Sequence, residues 1–248
     1  RGRLLAVIDE EYMHAMRTGA GAAVAARHCA VSGPQTVALI GAGRLAGPTY
    51  EALAAAVDIA EVRIASRRPE SRDALARELG SVARAAEDVE SAVRDATIVI
   101  TATTAREPLV RADWLRPDAF VYAMGDAEEL EPECYRRATR VMADDWVQCQ
   151  VRPQMSALIA SGVIDSDDVI SLWQVVGGSE PARRDTDGLL VMRSQGLVTQ
   201  DVAIAALVYR RAVEDGLGVP LAGDAAKAPR SGVPSSPLVG SDSGRPSK

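Results

Sequence analysis

An apolar run, Thr36, Val37, Ala38, Leu39 and Ile40, stops abruptly at Gly41, and glycine recurs at 43 and 47 before a helical pattern over 48–57. A strand that ends on glycine and turns at once into a helix leaves few folds open. Gly41 permits the tight turn, Gly43 lets backbone approach a pyrophosphate, and small Ala46 lets the helix pack against the strand, its amide N–H groups facing the phosphates. A GxGxxG/A match alone is weak, because a plain strand–turn–helix can need glycine for packing only. Context strengthens it: a second strand over 61–66 ends roughly 20 residues beyond the glycines, where the residue that reads a cofactor ribose is expected.

Strand and helix patterns then alternate, with strands at 36–40, 61–66, 97–101, 119–123 and 139–142 and helices at 44–57, 69–79 and near 87–93. Such alternation predicts a parallel sheet covered on both faces, an α/β doubly wound Rossmann unit. A long helical stretch is expected over 146–161, another over 167–176, a strand over 188–194 and a strong helix over 198–215. Before the glycine turn, residues 4–8 read as a strand with nothing ahead of it to pair. Residues 9–27 read as two helices meeting at the small-residue cluster 18–22. The expected organisation is a dinucleotide-binding domain at 33–187 and a second, incomplete α+β domain from 1–32 plus 188–221. A tail at 222–248, rich in Gly, Pro, Ser and charge, is expected to be disordered. The chain reads as beginning mid-domain.

The 248 residues, 47% of them hydrophobic, suffice for a substantial core. No run approaches the ~20 apolar residues of a membrane span and none resembles a signal peptide, so a cytoplasmic site is expected and a membrane partner is not. A net charge of −6, with arginines scattered among acids, argues against nucleic acid. Cys29, Cys134 and Cys149 have no paired spacing, and His14 and His28 lie outside any HExxH pattern, so neither a disulfide framework nor a metal site is expected.

At the end of the second strand stand Ser66, Arg67 and Arg68. An acid there would accept from the ribose hydroxyl of NAD and repel a 2′-phosphate, whereas a hydroxyl and two guanidiniums attract one, so NADP(H) is preferred over NAD(H). The alternative is a solvated pair at the start of the next helix. Asp126, after Gly125 at the end of a sheet strand, could hold a substrate amine or relay a proton, or equally cap the following helix. Arg17 is a candidate anchor for a substrate carboxylate, or a surface arginine.

Taken together, Arg17 and Thr18, Gly41 to Gly43 with Ala46, the run Thr101, Ala102, Thr103, Thr104, then Trp114 to Pro117, Met124 and Gly125, Glu129 to Pro132, and the stretch from Gln200 through Ala212 form an ordered set. Over residues 3–221 the chain resembles the ornithine cyclodeaminase and mu-crystallin family. The resemblance implies a Rossmann domain and a second domain that dimerises and binds substrate. It implies NAD(P)H-dependent oxidoreduction of the C=N or CH–NH bond of a small imino or amino acid, as in ketimine reductases and amino-acid dehydrogenases. A cofactor-binding homologue without turnover, or an ornithine cyclodeaminase-type ammonia lyase, is the alternative.

By position, the resemblance makes Arg17 the substrate-carboxylate ligand and Asp126 the catalytic carboxylate. The cofactor would lie against Gly41, Ala42, Gly43, Arg44 and Leu45, with Ser66, Arg67 and Arg68 at its adenosine ribose. Thr101, Ala102 and Thr103 would run along the cleft, and Ala123, Met124 and Gly125 would stand near the nicotinamide. Three departures stand out: Leu45 replaces a frequent glutamine, the segment after Gly125 is short and lacks a lysine, and the family's early segment with a catalytic lysine and a further arginine is absent. Depressed turnover, and a homodimer only with that segment present, are the corresponding expectations.

Overall fold

In the computed structural model, residues 4–125 and 128–220 are described. Helix α1 (Glu11–Cys29) leads into β1 (Gln35–Ile40), α2 (Ala46–Ala54), β2 (Ile59–Ala65), α3 (Pro69–Leu79), β3 (Ala83–Ala85), α4 (Val89–Val93), β4 (Ile98–Thr101) and β5 (Phe120–Ala123). Then come α5 (Pro132–Arg137), β6 (Arg140–Ala143), α6 (Trp146–Cys149), α7 (Pro153–Ala160), β7 (Ile170–Ser171), α8 (Leu172–Val176), β8 (Leu190–Arg193) and α9 (Val198–Glu214).

All eight strands form one sheet in the order β3-β2-β1-β4-β5-β8-β6-β7, and every pairing is parallel. Parallel strands need apolar residues on both faces, and β4, β5 and β8 are buried throughout. Alternate residues feed two cores. Ala38, Ile40, Val99, Val121, Ala123 and Val191 meet Tyr135, Cys149, Met155 and Leu158 on one face. On the other, Leu39, Ile98, Ile100, Phe120, Tyr122 and Met192 meet Ala22, Ala26, Leu53, Leu75 and Val175 from α1, α2, α3 and α8.

Several expectations are corrected. Residues 4–8 form no strand; Leu4, Leu5 and Val7 are exposed, and a lone segment with no neighbour has no ladder to join. The two helices expected over 9–27 are the single helix α1, because its small residues serve close packing rather than a break: a Cβ on Gly19 would lie 2.7 Å from the Pro48 carbonyl oxygen and 2.8 Å from the Thr49 Cα. The helix expected over 146–161 is divided into α6 and α7, since Pro153 starts a new helix at its first turn. The stretch 167–176 contains the edge strand β7 before α8.

The chain divides into two compact units, one up to Leu207 and one from Val208. The sheet and all residues of the candidate site belong to the first. In the second, Arg211 and Glu214 form an exposed ion pair at 3.3 Å. The strand expected at 188–194, ascribed from sequence to the second domain, is β8, an interior strand between β5 and β6. The tail 222–248 lies outside the described residues.

Candidate active site

The strand register assembles the site. Ala65, Ile40, Thr101, Ala123, Arg193, Ala143 and Ser171 stand side by side across β2, β1, β4, β5, β8, β6 and β7. The residues that follow this row are Ser66, Gly41, Ala102, Met124, Ser194 and Asp144, so nearly every residue singled out from sequence leaves the sheet at one edge. That is the carboxyl edge, where open α/β sheets bind ligands. The change of strand order at β1 and β4 opens the crevice.

A cleft of about 570 Å³ lies there, lined by Gly41, Ala42, Gly43, Ser66, Arg67, Arg68, Ala102, Thr103 and Thr104, with Asp88, Val89 and Leu109 along it. Gly41 has φ +114°, and a Cβ there would sit 2.4 Å from the Ala102 carbonyl oxygen, so both conformation and space demand glycine. A Cβ on Gly43 would meet nothing within 4 Å. Among the described residues, nothing accepts from the backbone N–H groups of Ala42, Gly43, Arg44 or Leu45. Open donors at the start of α2, beside a glycine that leaves room, match what a pyrophosphate needs.

Arg67 and Arg68 are exposed on the cleft rim, and neither side chain has a partner among the described residues. Ser66 Oγ accepts from the Arg68 N–H at 3.3 Å. Arg44, exposed, reaches back to the Glu11 carbonyl at 3.4 Å. Leu45 stands at the N-cap of α2 with no side-chain capping bond.

At the ends of β4 and β5 a residue that the sequence places in a family motif, but to which it assigns no role, takes the central place. Glu129 is fully buried, and one carboxylate oxygen accepts from Thr103 N–H at 2.9 Å and Thr103 Oγ1 at 2.6 Å. The other accepts from Thr101 Oγ1 at 2.7 Å and Gly125 N–H at 2.8 Å. A Cβ on Gly125 would lie 2.5 Å from the Glu129 Cδ. The carbonyl of Gly125 in turn accepts from the buried guanidinium of Arg193, whose Nε has no partner among the described residues. Half-buried Glu128 is pushed above the usual carboxylate range by burial, a rise that Arg193 opposes. Asp126 lies outside the described residues.

Beyond β8, Arg17 of α1 meets the start of α9. Its Nε donates to Asp201 at 2.7 Å and one terminal nitrogen to Gln200 at 3.4 Å. Gly196, at φ +75°, lies over that guanidinium, where a Cβ would come within 2.6 Å of it. Buried Asp144 fixes this turn by accepting from Ser194 Oγ, Gln195 N–H and Gly196 N–H at 3.0, 2.9 and 2.7 Å. Tyr122 is buried beneath, its hydroxyl held from ionising chiefly by desolvation, with Ser194 opposing through a hydrogen bond. Thr101, Ala123 and the glycine turn thus stand on one edge of one sheet, and Arg17 reaches from α1 to the turn that follows β8 at that edge. Asp144, Arg193 and Asp201 had no short-range signal, because their partners are remote in the chain.

The profile of the ornithine cyclodeaminase/mu-crystallin family matches residues 1–216. The chain belongs to that family. It is similar to a putative dehydrogenase of Rhizobium meliloti, with 34% identity over 83% of this chain and 65% of that protein. Among solved structures of the family's fold, it matches the Δ1-pyrroline-2-carboxylate reductase of Thermococcus litoralis in complex with NADH and L-proline. There the TM-score is 0.80 at 27% identity, over 86% of this chain and 68% of the other. An archaeal alanine dehydrogenase dimer with bound NAD gives a TM-score of 0.81 at 30% identity, over 88% and 70% of the two chains. The chain therefore spans roughly two thirds of the length of these family members. Among the described residues no helix is long and apolar enough to cross a membrane.

Proposed function

We propose that the protein is an NADP(H)-dependent oxidoreductase of the cytoplasm that reduces the C=N bond of a small imino acid, or runs the reverse oxidation of the amino acid. The observation that carries this reading is the single carboxyl edge, from which the glycine turn and the Ser66 to Arg68 rim leave and beyond which Gly196 meets the Arg17 guanidinium. The nicotinamide-bound family members above, one of them with an imino-acid reductase's amino acid in place, support it.

The glycine turn and the open N–H groups of residues 42–45 would hold the pyrophosphate, and Ala123, Met124 and Gly125 would stand at the nicotinamide. Ser66, Arg67 and Arg68 would take a 2′-phosphate through charge-assisted hydrogen bonds. A bound reduced nicotinamide supplies hydride. The chain's own residues do the rest. Arg17 holds the substrate carboxylate, with Asp201 and Gln200 fixing the plane of the guanidinium, and Asp126, which follows Gly125 directly, is assigned the proton at the imine nitrogen. The protein is read as a homodimer, in line with the dimeric archaeal relative.

The test is to add NADPH and a panel of cyclic imino acids and follow the absorbance of the reduced nicotinamide. Loss of absorbance that depends on an α-carboxylate in the imine supports the reading. Cofactor binding with no loss across the panel would instead favour a binding protein without turnover.

A further inference from the structure

The ends of β4 and β5 are joined by one buried carboxylate with no water-facing role. We propose that Glu129 is a positioning residue for the nicotinamide half of the cofactor, holding Thr103 and the Gly125 peptide in the arrangement that half requires. The proposal rests on the dinucleotide reading above and assigns a role to a residue outside the glycine turn.

Four donors converge on Glu129, two of them backbone N–H groups, from Thr103 and Gly125, and two of them threonine hydroxyls. Threonine hydroxyls can rotate to donate or accept, but a backbone N–H can only donate. Each of the two N–H groups faces a different carboxylate oxygen, so only a group with two acceptors satisfies both. Glutamine has the same shape and one acceptor, and its NH₂ would face one of the two N–H groups donor to donor. Thr103 lines the cleft, while Gly125 caps the strand beside β4 and is held from its other side by Arg193. Glutamate at 129 and guanidinium at 193 therefore hold Gly125 from two sides, one at its N–H and the other at its C=O. Gly125 must lack a Cβ for the grip to close, given the 2.5 Å approach to Glu129 Cδ. The pyrophosphate turn and the Ser66 to Arg68 rim make no hydrogen bond to this carboxylate among the described residues, so disturbing it is expected to fall more heavily on the nicotinamide half than on the rest of the cofactor site.

The experiment titrates the full chain, unmutated and as Glu129→Gln, with NADPH and with ADP-ribose 2′-phosphate, which lacks the nicotinamide. Affinity is read by calorimetry and nicotinamide surroundings by the emission of the reduced ring. The expected result is fragment affinity within about twofold of the unmutated chain, NADPH affinity lower by about tenfold, and emission returned towards that of free cofactor. Gly125→Ala displaces the same carboxylate from the other side and is expected to reproduce the pattern, so the idea does not depend on one variant folding. Unchanged NADPH emission and affinity in either folded variant would overturn the role. A parallel loss of fragment and NADPH would also overturn it, because that is the mark of a general scaffold. Failure of the unmutated chain to bind either ligand would remove the dinucleotide reading itself.

Discussion

At the scale of single residues, charge and burial make sharp predictions. Arg67 and Arg68 have no partners among the described residues, so their guanidiniums are available to a 2′-phosphate. NADPH is expected to bind at least about tenfold more tightly than NADH, and Arg67→Ala with Arg68→Ala to erase most of the gap. Calorimetry giving equal affinities for the unmutated chain would refute the assignment. Glu128 sets a pH dependence. Its carboxyl is raised by burial, so the folded protein binds that proton more readily than the unfolded chain, and stability falls as pH rises through the interval. Glu128→Gln is expected to stabilise the protein at neutral pH, with the difference vanishing below about pH 4. Denaturant titrations at both pH values check this, and the opposite trend would show the carboxylate to be favourably paired. Burial also pushes the Cys29 thiol up to about 11 and those of Cys134 and Cys149 to about 12. At about pH 8 all three should resist a thiol reagent until the protein is unfolded, and rapid labelling of the native protein would contradict that. Gly41 and Ser66, which line the cleft, were legible in the sequence because their signals are local. Glu129 was not: its threonine partners lie 26 and 28 residues away, and only the strand register brings them together.

At the scale of elements, strands were easier to read than helix boundaries. The two-sided apolar runs of β1, β4 and β5 announce themselves, and α3 begins where Pro69 permits. The small-residue cluster in α1 was misread as a break because glycine in a helix carries two meanings, weakness and close approach. The structure shows the second at Gly19, where α1 meets Pro48 and Thr49 of α2. Gly19→Ala gains about 1 kcal/mol of helix propensity. It also drives a Cβ into backbone, which costs about 1–3 kcal/mol and has no flexible side chain to absorb it. A net lowering of the melting temperature is expected, and a rise would mean that the two helices separate freely. The position of β8 was beyond sequence reasoning altogether. Its apolar run gave a strand, but placement between β5 and β6 depends on a crossover that no local pattern encodes.

For the whole molecule, one register row sets the site. Seven strands end level, the turn glycines, the basic rim and Gly125 all leave from that line, and Arg17 of α1 meets Gly196 just beyond it. A parallel sheet buried on both faces can place such groups with little freedom, which is what pre-organised chemistry requires. The family was legible because its motifs fall in order along the chain. The substrate was not, because Arg17 and the groups around it, Gly196, Gln200 and Asp201, come from opposite ends of the described chain. The most direct measurement is transfer of label. Protein, NADPH deuterated on the transferring face of its nicotinamide and Δ1-pyrroline-2-carboxylate are incubated together, and the amino acid formed is weighed by mass spectrometry. The expected product is proline carrying one deuterium on its α-carbon; bound cofactor with no label reaching the amino acid, from this or any other cyclic imino acid, would contradict imine reduction.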